Sequence, residues 1–486
     1  MKLTKTLLAV LVTALAGCDS NDEATTANSG PDTQLTKSWD AHSTYASETT
    51  VSGTSSDTDG VESVTVSING TVHYADFDGQ NFSLKINLVP GLNNYTVTAT
   101  DSLGNQTSLE DQVYFGHQVS AGGAHSGAIL DGKLWTWGRN NKGQTGHGYV
   151  STLDEENHPT TPTELTVISE EQAISFVSLA FNQNASIALD STGQVWAWGD
   201  GDGGQLGLGE DDDILSEEDV LSPQKISSLE NIISVARGYD HTVVLDELGQ
   251  VYTFGENDKG QLGNNSLEDS DFPLQVEISD IIQIEAGSDS TYALDINGNL
   301  YGWGQNNNGQ IAQGQDYIED ILIPTLINLP EKITSFSAGK AHVIAIGASG
   351  QLYGWGLNAS NQLGNDEDES WPRELYEATV LPWVEDGVMV WANGNQSFVE
   401  RSDGQIYPWG NNGMGTLGLE TDESPIAPTV AITDLSSVLD IGAGALHTVA
   451  LRFDSVLFTW GWSFEGSLGI PNPINAWGYS LPQKVK

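Results

Sequence analysis

One ten-residue stretch constrains this chain more than any other feature, because it recurs seven times. The copies are "WGRNNKGQTG" at Trp137, "WGDGDGGQLG" at Trp198, "FGENDKGQLG" at Phe254, "WGQNNNGQIA" at Trp303, "WGLNASNQLG" at Trp355, "WGNNGMGTLG" at Trp409 and "WGWSFEGSLG" at Trp460. They begin 49 to 61 residues apart. Self-similarity at this period belongs to propellers and solenoids, whose single units cannot bury an apolar face alone.

The residue types at each position have a physical reading. The aromatic is large enough to anchor a sheet face against a neighbouring unit. The glycine after it permits close backbone approach. The seventh position is glycine in six copies and Asn361 in the other, which predicts a residue with positive φ. The ninth is Leu, Ile or Thr145, a core plug. Alternating strands such as "HTVVLDELGQVYTFG" precede each copy, with a hairpin at the Asp-x-x-Gly segment.

Seven such units resemble the regulator of chromosome condensation repeat family over about three quarters of the chain. The resemblance implies an all-β fold, a seven-bladed β-propeller over residues 116–486. Ala312 and Ser463 depart from the motif. "LSPQKI" at Leu221 is echoed by "SLPQKV" at Ser480, and "YFGHQVSAGG" before the first copy has no such proline strand. The C-terminal strand near Pro482 is therefore expected to complete the first blade, removing a free edge.

Ahead of the repeats, residues 39–115 alternate with period two. Val64, Val66 and Ile68 share a face, as do Phe82, Leu84, Ile86 and Leu88. This predicts a small antiparallel β-sandwich. "PGLNNYTVTATDSLGN" resembles bacterial immunoglobulin-like domains, which implies a spacer or adhesive module. Residues 18–38 are polar and read as a flexible tether.

The chain opens with "MKLTKTLLAVLVTALAGC", two lysines, an apolar run and small residues. The run is shorter than the ~20 residues of a spanning helix and has the layout of an export signal. "LAGC" resembles the bacterial lipobox. That resemblance implies removal of residues 1–17 and lipidation of Cys18, the only cysteine. The expected location is the bacterial cell envelope, lipid-anchored at the inner or outer membrane, with the domains in the periplasm or outside.

The net charge is −49, from 17 basic and 66 acidic residues. Such a surface repels nucleic acid and anionic lipid, so the expected partner is an unidentified protein or envelope ligand. The loops after the motif copies (147–163, 208–222, 264–272, 313–324, 364–382 and 419–427) carry 25 carboxylates and one lysine or arginine, Arg373. They are expected to form an acidic crown on one face. Asp211, Asp212, Asp213, Asp366, Glu367 and Asp368 are candidate calcium ligands, although no EF-hand loop is present and acidic turn decoration is the competing reading. No other cofactor is expected.

Trp371, Trp383, Trp477 and Tyr479 lie outside the motif and are candidate partner contacts. His125, His241, His342 and His447 occupy one place in the repeat, filled elsewhere by Asn184, Ser290 and Gln396. They read as buried hydrogen-bonders between strands rather than metal ligands. The chain has no HExxH, P-loop, GxSxG or Cys-His motif, and no catalytic residue is assigned. The expected function is a membrane-tethered, exported recognition scaffold with a monomeric propeller. The alternatives are an enzyme on envelope or extracellular polymers, and an inhibitor of another exported enzyme.

Overall fold

The computed structural model describes residues 30–36, 43–151, 158–169, 171–209, 219–365, 371–421, 423–425, 427–471 and 477–486. Cys18 and the six candidate calcium ligands lie outside them.

Two sheets form the sandwich. One orders the strands Asp32–Leu35, Glu48–Ser56, Asn81–Asn87 and Asp76–Phe77. The other orders Ser43–Thr44, Gln106–Phe115, Gly91–Asp101, Val61–Ile68 and Thr71–Tyr74. The period-two residues do what alternation requires. Val64, Val66 and Ile68 meet Phe82, Ile86, Tyr95 and Val97 in one dry cluster. Asp32–Leu35 pairs antiparallel with Gly53 to Ser56, so part of the segment read as a tether is an edge strand of this sheet.

The repeats build seven blades around a central channel. Each blade takes consecutive strands, from innermost to outermost, and the first is Val119–Ala121, His125–Leu130, Lys133–Gly138 and Thr163–Leu165. The sixth is three-stranded among the described residues, with a bridge from Gln405 to Ser436. At the second hairpin, Asp246 and Asp295 carboxylates accept backbone N–H groups two and four residues on, which fixes the turn.

The expected closure of the first blade by the C-terminal strand is not what the structure shows. Gly478–Lys484 pairs with Leu457–Trp462 and is the outer strand of the seventh blade. "TPTEL" supplies the first blade's own outer strand, after its motif rather than before it. Every proline-containing outer strand that forms a ladder belongs to the motif copy preceding it, and among the described residues no strand crosses between blades.

The motif joins blade to blade. Its eighth residue turns a carbonyl toward the next blade. Gln144 O accepts from Ser186 Oγ at 2.8 Å and from Trp198 Nε1 at 2.9 Å. Gln261 O accepts from Thr291 Oγ1 and Trp303 Nε1 in the same way. At the ring's closing junction Ser467 O accepts from Ser126 Oγ at 2.9 Å and Trp137 Nε1 at 2.8 Å. The seventh motif residue has left-handed φ throughout, 76° at Gly143 and 60° at Asn361. Gly138 is required at the second position, since a Cβ there would lie 2.5 Å from Ala124 O.

The four histidines complete these junctions. All are buried, and Nε2 of His125, His241, His342 and His447 meets Ser186, Thr291, Ser397 and Ser126 hydroxyls of the following blade at 3.0, 3.0, 2.9 and 2.6 Å. Burial holds each at a pKa of about 3, so they are neutral imidazoles. In the second repeat the equivalent place belongs to Ala185, which pairs with Gly199 as His125 pairs with Gly138. Asn184 lies one residue outside the strand.

Candidate functional site: the two ends of the channel

The innermost strands line the channel, and their order fixes which loops share an end. Innermost and third strands run the same way, so the loops after the innermost strands and the motif loops emerge on one face. The second hairpins lie on the other, where the sandwich sits.

At that base the sandwich and propeller share a buried polar network. Tyr45 OH donates to Asp440 Oδ1 at 2.5 Å and accepts from Trp391 Nε1 at 2.7 Å. The Tyr45 ring stacks on His117 with centroids 4.1 Å apart. His117 lies 3.6 Å from Glu285 and 3.8 Å from Asp440. Burial opposes charge on His117, but the close carboxylates of Asp440 and Glu285 overcome it and hold the pKa near 10. Asp440 also accepts the Gln118 and Val119 N–H groups at 2.6 and 3.0 Å. Burial would raise its pKa, yet His117 and these donors hold it below the usual carboxylate value. The backbone bond from Ser47 N to Ile282 O adds a further clamp.

The opposite mouth is open. It is a basin of about 340 Å³ lined by short loops that include Gly122, Asn182, Tyr239, Ser288, Lys340 and Gly394. Arg237, at the end of Ile232–Arg237, lines both the basin and the narrower channel beneath it. Its Nη2 donates to Gln205 Oε1 at 2.6 Å.

Carboxylates crowd one side of this mouth. Burial raises Asp240 to a pKa of about 6, with Asp200 and Asp289 repulsion adding to it against the pull of Arg237. Burial, then repulsion from Asp258, Asp240 and Asp289, raises Glu256 to about 7. The motif turns also bring cations to this face. Lys142 reaches Asp219 at 3.0 Å and Asp200 at 3.3 Å. Among the described residues no three metal-binding side chains come together.

The candidate aromatic contacts separate. Trp371 and Trp383 are half-buried, tilted against each other with centroids 5.0 Å apart, and packed on the core between the fifth and sixth blades. A Cβ at Gly364 would lie 2.4 Å from the Trp383 ring. They serve packing rather than presenting an exposed surface. Trp477 is 80% exposed on the open face, and Tyr479 beside it is half-buried in the outer strand. Sequence reasoning missed Arg237, Tyr239, Lys340, Tyr45 and His117, whose neighbours come from distant repeats.

Comparison with known proteins agrees with the geometry. A glucodextranase domain B model matches residues 31–115. The chain is 32% identical over 367 residues to the ultraviolet-B receptor UVR8 of Arabidopsis thaliana, covering 74% of this chain and 79% of that protein. It is 27% identical to the RCC2 homolog of Xenopus laevis over 59% of this chain, spanning about half (49%) of that protein. Yeast RCC1 (Prp20), solved bound to Kap60, superposes with a TM-score of 0.57 at 25% identity, over 67% of this chain and 77% of that one. Human WBSCR16 superposes with a TM-score of 0.60 at 22% identity, over 73% and 94%. The RCC1-like domain model matches residues 88–385 and 215–486, and with seven blades in place the chain belongs to the RCC1-like domain family.

Proposed function

We propose that this chain is an exported, membrane-tethered recognition scaffold whose open propeller face binds a protein or an envelope ligand. The observation that carries this reading is the asymmetry of the channel. The sandwich, with Tyr45 and His117 at its contact, occupies one end, and the basin around Tyr239 and Lys340 faces away. A chain anchored through Cys18 would hold that basin outward on the sandwich. The relatives support a binding role: one is named a receptor, and yeast RCC1 was solved with a protein partner. Fold alone does not decide function, so the reading rests on the face and not on the family.

The test is a pull-down from envelope extracts with the full chain. Replacing both Trp477 and Tyr479 with Ala should abolish capture of whatever the wild type retains, without lowering the melting temperature. Equal capture by the variant would remove that face from consideration. Cys18→Ser should release the chain from the membrane fraction and block signal removal. Unchanged fractionation would end the lipoprotein reading.

One observation favours an enzyme on envelope polymers as a second reading. Glu256 and Asp240, joined by a backbone hydrogen bond of 2.9 Å, both titrate near neutrality, which suits proton transfer. Glu256→Gln would then abolish hydrolysis of an envelope polysaccharide while leaving the pull-down intact.

A further inference from the structure

Arg237 is a charged group without a counter-ion. Its side chain is 8% exposed, and only Nη2 has a protein partner. Nε and Nη1 are buried with none. Gln205 Oε1, the one acceptor, is neutral and shared with Asn182 Nδ2 at 2.8 Å. Asp240 and Asp200 act on the guanidinium only through space, and neither forms an ion pair with it. A buried cation left this way is costly, because no partner charge from the protein offsets its lost hydration. Retaining one at the centre of a ring is understandable when a guest brings the missing anion.

We propose that Arg237 is the base of a binding site for a carboxylate group, which enters through the open mouth of the channel. Nη2 carries two N–H groups and Gln205 takes one, so the other can pair with the adjacent Nε–H or Nη1–H as a planar fork that matches two carboxylate oxygens. The basin above it, about 340 Å³, admits a small molecule or the last residues of a chain but not a folded domain. Charge around the mouth argues for a monoanion. Asp240, Asp289 and Glu256 would repel a phosphate dianion more strongly than a carboxylate, while Lys340 adds one cation close to Asp289. The same carboxylates favour positive charge just behind the anion. The shared chemistry is thus a carboxylate with basic neighbours, supplied either by a zwitterionic small molecule or by the C-terminus of a basic polypeptide.

The site deepens the recognition reading by naming the chemistry at the centre of the open face, and rests on that reading only in taking that face as the working one. Its test needs no partner. The chain has only five arginines, so the side-chain Nε–H region of a 15N-labelled spectrum of the full chain is simple. Sodium acetate is titrated against sodium chloride and phosphate at matched ionic strength. Two further probes are the peptide Gly-Lys-Lys with a free C-terminus and the same peptide amidated.

One Nε–H resonance should shift saturably with acetate, and Arg237→Lys should remove that resonance. Tighter binding of the free peptide than of its amide, by about tenfold or more, identifies a polypeptide end as the source. Equal affinity of acetate and free peptide identifies a small carboxylate. A spectrum that ignores both acetate and free peptide overturns the proposal, as does an equal response to chloride or phosphate. If Arg237→Lys does not fold, Arg237→Gln supplies the assignment, and the wild-type titration decides in either case. Failure of the envelope pull-down would leave this result standing, and a silent titration would leave the pull-down standing.

Discussion

Tyr45 of the sandwich and Asp440 of the seventh blade are 395 residues apart in sequence, yet the phenol donates to the carboxylate at 2.5 Å. Tyr45 also accepts from Trp391 of the sixth blade. Tyr45→Phe keeps the ring and its stacking on His117 but leaves a buried carboxylate oxygen and an indole N–H short of a partner. The expected cost is about 1–3 kcal/mol. It should appear in urea unfolding as a lower midpoint, and faster proteolysis between sandwich and propeller should accompany it. An unchanged midpoint would show the bond to be dispensable.

His117 gives that contact a pH dependence of definite sign. Its folded pKa, near 10, lies above the ordinary 6.5. Its contribution is therefore fully present below pH 6.5, declines across 6.5 to 10, and is gone above. Wild type and His117→Gln should differ most at pH 6 and converge by pH 10. Parallel stability curves over that range would count against a charged His117.

The four junction histidines act in the opposite sense. Each is held at about 3, below 6.5, so their contribution is present above pH 6.5 and fades as pH falls toward 3. His447→Asn should shift acid unfolding to lower pH, since one buried imidazole no longer has to be charged. It should also cost about 1 kcal/mol at pH 8, where Ser126 Oγ loses the imidazole and keeps only its bond to Ser467 O. A midpoint that stays put in acid would mean the imidazoles are already solvated there.

The C-terminal strand and the Trp137 junction should behave differently on removal. Deleting residues 478–486 strips the outer strand from the seventh blade but leaves Trp137 and Ser126 bonded to Ser467. Trp137→Ala opens a buried site between blades one and seven and should cost about 3–5 kcal/mol. Calorimetry should find the truncated chain more stable than the Trp137 variant. The reverse order would restore a keystone role to the C-terminus.

The ring was legible because the motif repeats, and its residues carry their reasons with them: positive φ at Asn361, a close approach at Gly138, a buried indole at Trp137. The buried histidines were legible for the same cause. The owner of each outer strand was not. "TPTEL" lies between two motif copies, and alternation alone does not say which sheet it joins. The shift from Asn184 to Ala185 came from register, which is counted from the partner strand at Gly199 and not from the neighbouring text. Arg237 ends an ordinary alternating strand. Its isolation is a property of the channel around it, which residues from every blade create. Trp371 and Trp383 looked exposed because they stand outside the motif, but they fill space above Gly364.

The closing junction between His447 and Ser126 uses the same bonds as the junction between His125 and Ser186. No sheet is shared across it, so the ring has no privileged seam. The junctions do not fix where the chain enters and leaves the ring, and the blade is the interchangeable module. A circular permutant that joins residue 486 to residue 116 and reopens the chain between two other blades should keep the same ring.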